Sequence, residues 1–142
     1  MMKQLITILF IGLISFSVNA QEKAAKIDFK SDTIDYGTIE KGADGLRVFE
    51  FTNTGDAPLI VSKVTSSCGC TVPKWSKDPI LPGQTGEIQV KYDTNRVSPI
   101  RKTITVISNA KTPTVALKIK GDVIDSNKES LLEKKDKSVV EQ

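Results

Sequence analysis

Glu87-Ile88-Gln89-Val90-Lys91-Tyr92-Asp93 alternates a polar side chain with an apolar or aromatic one at every step. Successive side chains of a β-strand point to opposite faces, so strict alternation means a strand with one face buried and one wet. The pattern recurs in Val115, Leu117, Ile119 and Val123, with Thr114, Lys118 and Lys120 opposite, and again in Ile100, Ile104 and Val106. Phe49 and Phe51 mark a further strand, with Arg47 and Asn53 assigned to the opposite, wet face. Ile27 and Phe29, then Ile34, Tyr36 and Ile39, give short opening strands. In Leu59-Ile60-Val61-Ser62-Lys63-Val64 the apolar phase slips between Val61 and Val64, as a β-bulge requires.

Turn chemistry separates these runs. Asn53-Thr54-Gly55-Asp56 is turn-forming, and Leu81-Pro82-Gly83-Gln84 is a turn that opens no helix and so cradles no phosphate. The six prolines fall at run edges or in loops, where a missing N–H does least damage; Val72-Pro73-Lys74-Trp75 reads as a loop. No sustained helical period appears between residues 21 and 124. About seven short strands in that length make an all-β, immunoglobulin-like antiparallel β-sandwich.

The flanks differ from this domain. Met1-Met2-Lys3 is positively charged, Leu5 to Val18 carries no charge, and Val18-Asn19-Ala20 precedes a polar stretch. Charge, a short apolar run and a small-residue site, in that order, describe a signal peptide over residues 1–20; the run is short of the ~20 residues that span a bilayer. Cleavage after Ala20 and release into the periplasm or the extracellular space are therefore expected, with no stable membrane insertion afterwards. Residues 125–142 are charged, mixed in sign and poor in apolar side chains, as a flexible tail is, with a partner-docking helix as the functional alternative.

Chemistry is narrowly bounded. The chain has no histidine, which excludes Ser-His-Asp and Cys-His catalysis and His-ligated zinc. A formal net charge of +3 with no arginine-rich run gives no nucleic-acid footprint. Asp35 with Glu40, and Asp78 with Glu87, have spacings without acid/base logic. What remains is Ser66-Ser67-Cys68-Gly69-Cys70-Thr71, which holds both cysteines. Exported thiols meet an oxidising compartment. Three readings stay open: a disulfide within Cys68-Gly69-Cys70, small and easily reduced; thiol chemistry or copper(I) binding, since soft thiolates suit that ion; or two small apolar side chains with no function. Trp75 is a candidate loop contact, against the plainer role of capping the end of the sandwich.

The order Phe49-Glu50-Phe51-Thr52-Asn53-Thr54-Gly55, Pro58-Leu59, Ser67-Cys68-Gly69-Cys70-Thr71, Pro79-Ile80-Leu81-Pro82-Gly83, Ser108-Asn109 and Lys118-Ile119-Lys120-Gly121 resembles a bacterial domain-of-unknown-function family, number 1573. The resemblance spans roughly Phe29 to Val123. It implies a short secreted chain of a Gram-negative bacterium and a fold similar to major sperm protein and pilus-chaperone domains. It implies no activity. The expected function is a non-enzymatic, exported binding or scaffold module, monomeric, without cofactor or metal, whose partner is another envelope or extracellular protein. The alternative is a small thiol protein using Cys68 and Cys70 for redox or copper(I) handling.

Overall fold

A computed structural model describes residues 22–140, with side chains as far as Lys135. The expected signal peptide lies outside the described residues. Eight strands follow in order: β1 Ile27–Phe29, β2 Thr33–Glu40, β3 Leu46–Asn53, β4 Val61–Ser66, β5 Thr71–Trp75, β6 Thr85–Tyr92, β7 Pro99–Ser108 and β8 Thr114–Ile124; helix α1 covers Ser126–Val140. They form two four-stranded sheets, β1-β3-β6-β5 and β2-β8-β7-β4. The β5–β6 and β7–β8 hairpins each stay within one sheet, while the β4–β5 connection crosses between sheets.

The alternation sets the core. Ile88, Val90 and Tyr92 from β6 meet Ile100, Ile104 and Val106 from β7 and Leu117, Ile119 and Val123 from β8, all buried. Burying a side chain of this size contributes ~1.5–3 kcal/mol. Val61 and Val64 are both buried, and the β4–β7 register shifts between Val61 and Lys63. That bulge turns two residues of odd spacing to the same face. Leu81 and Gln84 close the expected turn with a 3.0 Å backbone hydrogen bond, and Gly83 holds a φ of 81°, a left-handed conformation open chiefly to glycine.

The structure corrects several expectations. β2 pairs with β8 in parallel, so the second sheet is mixed. These strands lie at opposite ends of the domain sequence, and only a long connection permits parallel neighbours. Val72 to Trp75 belong to strand β5 rather than a loop; β5 is an edge strand, where Pro73 can sit without breaking a two-sided ladder. Arg47 and Asn53 do not oppose Phe49 and Phe51. All four share one parity and hence one face. Asn53 is fully buried, and the Arg47 guanidinium lies 4.3 Å above the Tyr36 ring.

The charged C-terminal segment forms α1. Lys128 N–H bonds to the Asp125 carbonyl at 3.0 Å and to its carboxylate at 3.4 Å, a helix N-cap. Glu40 accepts from the Ser126 backbone at 3.3 Å and from the Ser126 hydroxyl, and Lys41 pairs with Asp125 at 3.7 Å. Every described α1 side chain is exposed, Leu131 and Leu132 included. The helix is thus tied to the sandwich through its first turn. Among the described residues no helix is long and apolar enough to cross a membrane.

Candidate functional site

The two cysteines occupy the β4–β5 crossover, at the end of the sandwich where β6 leads into β7. Hydrogen bonds fix the path of this short link. Ser67 N–H donates to the Thr103 carbonyl at 2.9 Å, and Thr103 N–H to the Ser67 hydroxyl at 3.2 Å. The Ser66 hydroxyl is within reach of the Cys68 carbonyl, at 2.5 Å, and the Thr71 carbonyl, at 2.7 Å. Asp93 N–H donates to the Cys70 carbonyl at 2.8 Å. Between these ties the chain brings Cys68 and Cys70 sulfur to sulfur, with Cα atoms 5.3 Å apart, a separation suited to a bridge.

The two sulfurs have unequal surroundings. Cys70 is 6% exposed and packs within the core, whereas Cys68 is half-buried and lies against the core's margin. Gly69 is exposed, and no atom lies within 4 Å of where its Cβ would stand, so that side of the link is open. The buried Thr71 hydroxyl faces both sulfurs, 3.8 Å from Cys68 Sγ and 3.9 Å from Cys70 Sγ. The sequence marks Thr71 only as the neighbour of Cys70. Among the described residues no group of three or more Cys, Asp or Glu is placed to hold a metal ion.

Nearby, Tyr36 OH donates to the Gly45 carbonyl at 2.8 Å, joining β2 to the segment entering β3. Burial pushes the Tyr36 phenol up to about 12, partly offset by the Arg47 charge above its ring. Gly45 is required here: a Cβ would stand 2.1 Å from the Tyr92 carbonyl oxygen.

Trp75 does not join the cysteines. It ends β5, four residues or about 13 Å of strand beyond Thr71. Its indole N–H donates to the Val61 carbonyl at 3.1 Å, linking the two neighbouring edge strands. One side of the ring faces an open cleft of 420 Å³ that Phe51, Ile80 and Pro79 also line, with Lys74, Asp78 and Glu87 around it. Sequence spacing dismissed Asp78 and Glu87 as a pair, yet the fold sets both on this cleft. A Cβ on Gly86 would stand 2.5 Å from Ile80 Cδ1 and from Phe51 Cζ, so glycine lets these two side chains close the floor. Buried Asn53 anchors the segment carrying Ile80: its amide donates to the Ile80 and Ala57 carbonyls, each at 2.8 Å, and accepts from Gly55 N–H at 3.0 Å and Lys26 N–H at 3.3 Å.

Known structures share this architecture. A protein of unknown function from Porphyromonas gingivalis W83 aligns with a TM-score of 0.63 at 20% identity over 76% of this chain. The chain spans about half of that protein, 51%. The seventh PapD-like domain of human CEP192 aligns with a TM-score of 0.60 at 10% identity, covering 72% of this chain and 87% of that one. The secreted serine protease VesC of Vibrio cholerae aligns with a TM-score of 0.52 at 17% identity, over 74% of this chain and 24% of that one. At such identities the likeness is one of fold: an immunoglobulin-like, PapD-like sandwich. No curated protein matches the chain. Residues 27–123, nearly the whole sandwich, match the family described as protein of unknown function DUF1573, and the chain belongs to that family.

Proposed function

We infer that the protein is an exported, non-enzymatic binding module, and that the cleft beside Trp75 receives a segment of another envelope or extracellular protein. The observation that carries this is the cleft itself: an apolar floor of Trp75, Phe51 and Ile80 ringed by Lys74, Asp78 and Glu87. An open cleft of this shape encloses little of a small molecule, whereas small-ligand pockets bury most of the ligand. An apolar side chain carried on a larger, polar partner matches the floor and its charged surroundings. Export rests on the charged start and short apolar run of residues 1–20, and the non-enzymatic reading on the lack of histidine, the commonest general base.

The sheet edges favour side-chain docking over strand addition. β1 has three residues, β2 breaks register between Asp35 and Thr38, β4 carries its bulge, and β5 carries Pro73. Each interruption blunts an edge as a template for another strand. A photo-crosslinking side chain installed at Lys74, on the cleft, should yield a discrete protein adduct in the native envelope. The same group at Lys118, exposed on the other sheet, should not. Equal adducts from both positions, or none from Lys74, would reject the cleft as the docking site.

A further inference from the structure

We propose that Cys68 and Cys70 form a thiol–disulfide exchange site in which Cys68 Sγ is the sulfur attacked, Cys70 Sγ the leaving group, and the Thr71 hydroxyl the donor that receives the departing thiolate. The substrate class is a dithiol on another exported protein. This goes beyond the binding reading, replaces its non-enzymatic part with one redox reaction, and shares with it only the expectation of export.

Three observations converge. A bridge between residues two apart in sequence ties together chain that is already adjacent, so it constrains the unfolded state little compared with long-loop bridges. Access is unequal: Cys68 is half-buried beside the open Gly69, while Cys70 is 6% exposed within the core. Which sulfur is attacked depends on such access. Thr71 is 2% exposed, and its hydroxyl faces the two sulfurs at 3.8 and 3.9 Å. A disulfide sulfur is a weak acceptor and a thiolate a strong one, so this contact tightens as the bridge opens.

The chemistry balances. A thiolate of the partner attacks Cys68 Sγ; a bond forms between them, the Cys68–Cys70 bond breaks, and Cys70 leaves as a thiolate that takes a proton. The partner's second thiolate then attacks its own sulfur in the mixed disulfide and releases Cys68, which is protonated in turn. The partner dithiol is oxidised to a disulfide, and the cysteine pair is reduced by the same two electrons.

Mature protein isolated without reductant should resist alkylation at both cysteines until dithiothreitol is added; labelling of both beforehand would overturn the proposal. Single-cysteine variants then test direction. The free Cys68 of Cys70→Ala should form a mixed disulfide with an aromatic disulfide reagent at least about tenfold faster than the free Cys70 of Cys68→Ala. Equal or reversed rates would overturn the assignment. Thr71→Val should slow reduction of the bridge by dithiothreitol several-fold with its melting temperature little changed, and Thr71→Ser should restore the rate. An unchanged rate in Thr71→Val would remove the hydroxyl from the mechanism. Loss of the Lys74 adduct, by contrast, would strike only the binding reading.

Discussion

The two ends of the sandwich are closed by opposite means. At one, the buried amide of Asn53 reaches Lys26, Gly55, Ala57 and Ile80, groups as far as 27 residues away, without any covalent link. At the other, Cys68 and Cys70 meet across a separation of two residues. Span in sequence decides what each is worth. A three-residue ring adds only ~1.6 kcal/mol by loop-closure entropy. A buried hydrogen-bonding group stripped of its partner costs about 1–3 kcal/mol, and Asn53 serves several. The polar side chain is therefore the stronger structural fastening, and the sulfur pair a weak one.

Five experiments bear on that contrast. A truncation belonging to neither end sets the scale: Leu117→Ala, fully buried, should cost ~2–5 kcal/mol in denaturant unfolding, against almost nothing for exposed Lys118→Ala. Equal costs would mean that the strand faces are misassigned. Asn53→Ala should follow, at about 2–4 kcal/mol, and should weaken crosslinking from Lys74 because the Ile80 segment loses its anchor. A loss below that of the cysteine variant would reverse the comparison.

The cysteine end is expected to be the milder one. Changing Cys68 and Cys70 together to serine should lower stability by no more than ~2 kcal/mol; a larger loss would make the link a staple after all. That end has its own pH signature. With the Tyr36 phenol raised to about 12 when folded, its contribution is complete below the ordinary value near 10 and is lost as pH climbs from there through about 12. Wild type should thus lose melting temperature relative to Tyr36→Phe across that window; parallel curves would show the phenol to be accessible. The smallest effect belongs to α1. Removing Asn127 to Gln142 should cost roughly 0.5 kcal/mol or less, a shift of a few degrees. A fall of ten degrees would mean that the helix packs on the sandwich.

Much of the fold is legible in the residues because the strand pleat is a local property. Ile88, Val90 and Tyr92 declare their face by spacing alone, and the slip from Val61 to Val64 declares its bulge. Pro82-Gly83 declares its turn through the backbone conformation that glycine permits. The cysteine pair is visible for the same reason, being contiguous. Asn53 shows where a local pattern misleads: its polarity suggests water, while its parity with Phe51 and the backbone groups waiting inside put it in the core.

Local sequence thus suffices for most strand faces, with β3's Arg47 and Asn53 the exceptions, and for the sandwich and the place of the sulfurs, since each depends on neighbours within a few residues. Long-range packing settles that β2 runs parallel to β8, that Pro73 sits in an edge strand, and that Trp75, Phe51, Ile80 and Asp78 surround one cleft. It alone turned the Thr71 hydroxyl toward both sulfurs and gave Asn53 its partners. Those relations join residues distant along the chain, and they are selected by which buried groups find hydrogen bonds and close packing once the two sheets meet.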